Sequence, residues 1–346
     1  MNINLLMIFK NRDKPFIIAE VGQNHQGSFD NAIKYIDTFS QIGADAIKFQ
    51  NRNNKYLFAK EAYEKPYESH NAFGKSYGEH REHLELTLEE MKEIKNYLKK
   101  KNLFFISTPF DEPSLEFLLS IDIDIIKIAS FDIGNLPFIN KIAEAKKPTV
   151  ISIGGGKSDQ IKSSLDILTK KTPDIALLHC VSEYPCTFDR LGLENIYKLK
   201  QDFPEVTVGL SDHFNGILSG PIAYMMGAKI FEKHVTFNRA EKGTDHSFSL
   251  EPEGFRKFSR DIHRVPAMMK PKNNDSLGKE PVFLKLGKSI VPIKDISKGD
   301  VLSLENLSGK IFNKQYIPVR ESNKIIGKKT NIDLKKGEPV KYEYLL

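Results

Sequence analysis

Residues able to do chemistry recur in this chain at one kind of place, the end of a short apolar run. Glu20 closes FIIAE, Lys48 and Gln50 lie in AIKFQ, Thr108 follows Ser107 in LFFISTPF, and Lys127 and Ser130 fall in IDIIKIAS. Ser152 lies in TVISIG, Ser182 and Tyr184 in IALLHCVSEY, Ser211 and His213 in VTVGLSDH, and Glu232 and His234 in KIFEKHVTF. Lys48 and Lys127 sit among apolar neighbours, where an ammonium group needs a partner or an anionic ligand, because an isolated buried charge is costly. Hydroxyls at Thr108, Ser130, Ser152, Ser182 and Ser211 complete a set that can grip a phosphate and a carboxylate together. Each serine alone reads as a strand-end or helix-cap residue. Their joint placement favours a site.

His213 and His234 close successive runs. If those runs are neighbouring parallel strands, about 4.8 Å apart, two imidazoles face one point. That pair suits a divalent metal with open positions for water and substrate. With no cysteine among the ligands, Mn²⁺ is expected, with Mg²⁺ or Co²⁺ as alternatives. A single histidine beside Asp212 or Glu232 would read as a hydrogen-bonded rim residue; two at matching positions do not. Glu20, Gln50, Tyr184 and Asp245 are groups that grip sugar hydroxyls and carbons, although Asp245 could instead pair with Lys242 on the surface. A Schiff-base lysine at Lys127 is the rival chemistry. It would leave the histidine pair without a use.

Something must bring these groups together. The eight runs alternate with stretches of helical period, among them FDNAIKYIDTFSQIG, LTLEEMKEIKNYLKKK, SDQIKSSLDILTKK and LENIYKLKQDF. Alternation predicts parallel strands joined by right-handed crossovers, and eight units close into an α/β (β/α)8 TIM barrel whose strand ends share one rim. An open doubly wound sheet would gather its site at one switch point and open with a Gly-rich phosphate loop. No such loop follows the first run, and the GGG at 154–156 lacks the spacing. Residues 51–86 are too long for an ordinary βα connection and predict a lid or wall of the site.

The chain has 346 residues, more than the roughly 250 of a barrel, so the remainder should form a unit of its own. The boundaries read as a barrel over 1–268, a polar linker over 269–285 and a β-rich unit over 286–346. Within the last, KDISKGDVLSLENL and TNIDLKKGEPVKYEYL look like one pattern used twice. A net charge of +6 with no long basic run argues against nucleic acid and suits a small anionic substrate. The N-terminal NLLMIF is too short for a signal or a membrane span, and no later segment is long enough, so a cytoplasmic location is expected. Cys180 and Cys186 form no CxxC pair and are expected as free thiols.

In order along the chain, IAEVGQNHQG, AIKFQ, STPFD, IKIAS, HCVSEYP, GLSDH and FEKHVTF resemble the sialic acid synthase family. The resemblance spans nearly the whole chain, because the last unit is similar to the antifreeze-like (SAF) domain that follows the barrel in these enzymes. It implies condensation of phosphoenolpyruvate with an amino-sugar aldehyde, N-acetylmannosamine or a diacetamido-trideoxy hexose, to a nine-carbon 2-keto sugar acid and phosphate. By motif position, Lys48, Thr108, Lys127, Ser130, Ser152, Ser182 and Ser211 would hold phosphoenolpyruvate. His213 and His234 would hold the metal, with Glu232 behind them. Glu20, Gln50, Asn71, Tyr184 and Asp245 would address the sugar. The implied mechanism has the metal polarise the aldehyde oxygen while C3 of the enol attacks, and phosphate leaves by C–O cleavage. The family also implies a homodimer with swapped small domains.

Three departures matter. Ser182 stands where the family often has asparagine, and GGGK follows the fifth run where methionine and asparagine are common. The arginine that the antifreeze-like domain usually contributes falls at Ile311; Lys310, Lys314 or Arg320 are the nearby substitutes. A different acceptor is one consequence, with the diacetamido-trideoxy hexoses as candidates. The nearest competing enzyme is a related condensation with a phosphorylated aldose to an eight- or seven-carbon acid, which would need an extra phosphate pocket such as Lys60, Lys65, Lys75 and Arg81 of the long segment could form. A non-catalytic ice-binding role is the other class, and it would leave the lysines and histidines without purpose.

Overall fold

The computed structural model describes residues 7–10 and 12–346, so residues 4–6 of the N-terminal apolar stretch lie outside the described residues. The chain divides after Met268 into two compact units. The first opens with β1 (Phe16–Gly22), α1 (Phe29–Gln41) and β2 (Ala46–Asn51). Four helices follow before the next strand: α2 (Asn54–Leu57), α3 (Lys60–Tyr63), α4 (Tyr77–His83) and α5 (Leu88–Lys100). Alternation then becomes regular, through β3 (Phe104–Pro109), α6 (Glu112–Ser120), β4 (Ile125–Ile128), α7 (Leu136–Glu144), β5 (Thr149–Ser152) and α8 (Ser158–Leu168). It ends with β6 (Ile175–Cys180), α9 (Glu194–Asp202), β7 (Thr207–Asp212), α10 (Ser219–Met225), β8 (Ile230–His234) and α11 (Pro252–Met268).

The eight strands form a closed parallel barrel in sequence order, a (β/α)8 TIM barrel. Every apolar run named above is a strand. The helices begin where their sequences say they should: Ser28 accepts a hydrogen bond from the Asn31 N–H, and Thr87 with Glu90 forms a reciprocal cap on α5. Helix faces such as Ile36 and Phe39, Ile94 and Leu98, and Phe255 and Ile262 pack on the outside of the strands. Inside, Phe16, Ile18, Ile106, Ile125, Val150 and Leu178 fill the lower barrel with Phe9. Apolar filling below leaves the polar strand ends at the opposite, C-terminal mouth.

Register decides which of those ends meet. Glu20 lies beside Lys48 on β2 and beside His234 on β8. Gln50 lies beside Thr108, and Ser211 beside both Cys180 and Glu232. The β1–β2 pairing slips by one residue between Glu20 and Gly22. Gly22 adopts φ 56°, and a side chain there would approach Asp245 Oδ2 to 3.1 Å. A glycine is therefore needed where the strand turns into the site.

The second unit holds α12 (Pro281–Leu286) and an antiparallel pair, β9 (Ser289–Pro292) and β10 (Leu307–Lys310). The stretch read as a bare linker carries a 3₁₀ turn at Asn274–Ser276 and most of α12, which Pro281 starts at its first position. The two copies of the short pattern face each other. Ile296 and Leu334 exchange both backbone hydrogen bonds, at 2.9 and 2.8 Å, and Leu302 and Val340, six residues further on in each copy, share their core.

Candidate active site

A cavity of about 750 Å³ occupies the C-terminal mouth of the barrel. Glu20, Lys48, Gln50, Asn71, Thr108, Lys127, Ser130, Ser152, Tyr184, Ser211, His213, Glu232, His234 and Asp245 all line it. Ser182 does not. Its Oγ is buried without a partner against Gly154, where any side chain would collide with it. Ser182 thus packs against the loop after β5, beside Ser130 Oγ and Cys180 Sγ, which line the cavity.

The two lysines differ in their surroundings. Lys48 Nζ lies 2.9 Å from Glu20 Oε2 and 3.7 Å from Glu232 Oε1, and donates to Thr108 Oγ1 at 3.4 Å. Burial works against its charge, but Glu20 and Glu232 outweigh burial and hold it protonated. Lys127 forms no ion pair among the described residues; its ammonium donates to the Ile128 carbonyl at 3.1 Å, and burial lowers its pKa. Ser130 Oγ accepts the Gly154 N–H at 3.1 Å, whereas Ser152 Oγ is buried with no partner. An unpartnered hydroxyl beside an unpaired ammonium leaves donors for an anion.

The two glutamates are pushed apart. Burial raises Glu20, with the charge of Glu232 adding to it against Lys48 and Gln50. Glu232 is also opposed by burial, yet Lys127, Lys48 and His234 together bring its carboxyl down to about 2. It accepts from Ser211 Oγ at 3.0 Å. Glu20, expected to address the sugar, lines the cavity with its carboxyl held by Lys48 and by Gln50 Nε2 at 2.7 Å. Two carboxyls on neighbouring strands are thus shifted in opposite directions.

The imidazoles of His213 and His234 have ring centroids 5.5 Å apart. His213 Nδ1 lies 2.8 Å from the Val181 carbonyl, which leaves Nε2 with its lone pair free. Burial pushes His234 down to about 4, so it is neutral at pH 7. Its Nδ1 has no hydrogen-bond partner and lies 3.9 Å from Asp245 Oδ2. Asp245 makes no ion pair with Lys242, whose ammonium instead sits 4.4 Å over the Phe73 ring. The Tyr184 ring lies tilted by 38° against His213 with centroids 4.1 Å apart, and Phe248 meets His234 edge-on at 4.9 Å.

The long segment forms one wall, with Leu57, Phe58, Asn71, Tyr77 and Arg81 on the cavity. Lys60, Lys65 and Lys75 are exposed and do not line it. Asn71 Oδ1 accepts the Gly243 N–H at 3.1 Å, which ties this wall to the loop after β8. Sequence reasoning missed Gln23 and Arg52. Both follow directly on strand runs, at Gly22 and Asn51, and that position was the available signal. Arg52 pairs with Glu85 at 3.2 Å and lies 3.9 Å over the Phe110 ring.

Fold and site together define a barrel enzyme working at its C-terminal rim, where cations, hydroxyls and two imidazoles share one cavity. The model of the NeuB family matches residues 35–274, and the chain belongs to this family, the family of sialic acid synthases. It is 35% identical over 329 residues to N-acetylneuraminate-9-phosphate synthase of Mus musculus, covering 95% of this chain and 92% of that one. It is 36% identical over 302 residues to N,N'-diacetyllegionaminic acid synthase of Campylobacter jejuni, covering 86% and 90%. Among solved structures, the N-acetylneuraminic acid synthetase of Leptospira borgpetersenii in complex with citrate superposes with a TM-score of 0.68 at 31% identity, covering 78% of this chain and 93% of that one. The chain is an enzyme of this synthase class. No helix among the described residues is long and apolar enough to cross a membrane.

Proposed function

We propose that the enzyme condenses phosphoenolpyruvate with an N-acetylated amino-sugar aldehyde, giving a nine-carbon 2-keto sugar acid and phosphate. The observation that carries this reading is the convergence of Lys48, Lys127, His213 and His234 on one cavity. Lys48, Lys127, Thr108, Ser130, Ser152 and Ser211 hold the phosphate and carboxylate of the enol. Its C3 forms the new C–C bond to the aldehyde carbon, water adds to C2, and phosphate departs by cleavage of the C2–O bond. Glu232, ionised throughout, places negative charge beside the cation that develops at C2. The proton taken up by the aldehyde oxygen is balanced by the one given up by the water that adds to C2, and Glu20, beside Lys48, stands where it can relay it. Gln50, Asn71, Tyr184 and Asp245 orient the sugar.

The residues present fit a divalent ion. His213 and His234 offer two nitrogens, and the unpartnered Nδ1 of buried, neutral His234 is a donor atom in want of an acceptor. No cluster of three histidine, cysteine or carboxylate ligands exists among the described residues, so water and substrate oxygens would complete the sphere. An ion there, Mn²⁺ by the notion of an exchangeable nitrogen and oxygen site, would supply Lewis-acid polarisation of the aldehyde.

The reading is tested by following phosphoenolpyruvate consumption with Mn²⁺ against a panel of N-acetylated aldoses. Turnover with at least one is expected, with bridging ¹⁸O of phosphoenolpyruvate recovered in the released phosphate. Label retained in the sugar acid would refute the C–O cleavage, and no consumption with any aldose would refute the function.

The family's arginine position, Ile311, is 53% exposed. Of its nearby substitutes, Arg320 donates to the Gly278 carbonyl at 3.2 Å and stacks on Phe283, and Lys314 lies over Tyr316. Lys310 is exposed. We read the second unit as the antifreeze-like domain of a swapped homodimer, supported by the exposed apolar side chains of Val282, Phe283 and Leu286 on α12. Sedimentation at assay concentration should show a dimer; a fully active monomer would exclude it.

A further inference from the structure

We infer that the buried ion pair between Asp212 and Lys233 is a positioning pair for the imidazoles of His213 and His234, and that the hold of the site on a divalent ion depends on it; this rests on the metal reading proposed above.

Among the described residues, two groups of ion-paired side chains are no more than 4% exposed at every member. Lys48 with Glu20 and Glu232 faces the cavity. Asp212 with Lys233 does not line it and takes no part in the chemistry described above. Strand alternation explains the difference. Ser211 and Glu232 line the cavity, so the next residue on each strand, Asp212 on β7 and Lys233 on β8, points out toward the helices. The two lie side by side in the strand register, with side chains 0% and 1% exposed. The rings of Phe214 and Phe258 enclose the ammonium, 5.9 and 5.8 Å away.

Each member of the pair immediately precedes an imidazole, Asp212 before His213 and Lys233 before His234. The pair also grips the residue after His213 at both of its backbone groups. Asp212 Oδ1 accepts the Phe214 N–H at 2.9 Å, and the Lys233 ammonium donates to the Phe214 carbonyl. Lys233 Nζ donates to Asp212 Oδ2 at 2.7 Å, and the Ser219 hydroxyl donates to the same oxygen at 2.5 Å, which brings in the start of α10. His213 is thus held through Asp212 on one side and Phe214 on the other, while its own carbonyl accepts the Cys186 N–H at 3.1 Å. A bond from β8 to the turn after β7 ties the place of one imidazole to the strand that carries the other.

Stability is a weak reason to keep such a pair. Desolvating two charges costs about as much as their attraction returns, so an uncharged pair of similar size is often as stable. What the charges add is direction: the ammonium brings three donors and the carboxylate two oxygens, and they bind each other and three polar groups around one turn. Imidazoles whose spacing is fixed from behind can take an ion without rearranging, and removing such support costs about 10-fold or more in metal affinity.

The test compares full-length wild type, Lys233→Met, and Lys233→Met combined with Asp212→Asn, which removes both charges and keeps the oxygen that accepts the Phe214 N–H. Melting temperature is measured without ligands, and Mn²⁺ affinity from the EPR signal of the free ion. Lys233→Met leaves a buried carboxylate unpaired and should melt well below the wild type. The combined variant should recover most of that loss while its Mn²⁺ affinity stays lower than wild type by about 10-fold or more. Should Lys233→Met not fold, the combined variant is compared with the wild type directly. Mn²⁺ affinity that returns to the wild-type value in the combined variant overturns the inference. So does a combined variant no more stable than Lys233→Met, because the pair then holds the fold rather than the site. A wild type that binds no Mn²⁺ overturns the metal reading and this inference together. Neither measurement needs turnover, so failure of the condensation with Mn²⁺ bound is a separate result.

Discussion

His234→Ala is expected to lose about 10³-fold in turnover at saturating Mn²⁺, with equilibrium Mn²⁺ binding weakened in the same protein. The physical basis is that His234 is neutral, buried and unpartnered at Nδ1, so that nitrogen is committed to no other hydrogen bond. His213→Ala should behave alike, because the Val181 carbonyl fixes its tautomer with Nε2 exposed to the cavity. It should lose more sugar affinity than His234→Ala, since the Tyr184 ring rests on it. Activity independent of metal in both variants would remove the metal from the mechanism.

The second large effect is expected at Lys127. Lys127→Met keeps the length and apolar stem but removes the unpaired ammonium, and kcat/KM for phosphoenolpyruvate should fall by about 10³-fold. The variant also has a pH signature. Glu232 is held at about 2 against burial, with Lys127 the foremost of the charges that lower it. Removing Lys127 lets burial dominate, so the Glu232 pKa rises. If ionised Glu232 is required, activity is present above its pKa and lost as pH falls through it. The acid limb of the kcat/KM profile should therefore move to higher pH in Lys127→Met than in the wild type. An acid limb that stays in place would dissociate Glu232 from catalysis.

Much of this site could be read along the chain because parallel strands in a barrel all end at the same mouth. A residue such as Ser152 or His213, closing an apolar run, is carried to the rim whatever the details of packing. Arg81 belongs to no run, and the lid that places it is a chain of short helices between β2 and α5 whose course depends on tertiary contacts. Among the cations of that lid, only its position separates Arg81 from Lys60, Lys65 and Lys75. Ser182 also closes a run, and the bare backbone of Gly154 leaves room for its hydroxyl beside Ser130 Oγ and Cys180 Sγ.

The order of residues along this chain determined the alternation of strand and helix, the closure of eight strands and the list of groups delivered to one rim, since those follow from hydrophobic period and strand polarity. Which groups are charged, paired or free was decided only by the fold. Glu20 and Glu232 are the same residue type on neighbouring strands, and their surroundings in space raise the pKa of one and bring the other down to about 2. Electrostatic state depends on distances through space, between residues as far apart in sequence as Lys48 and Glu232, and no local pattern encodes those distances.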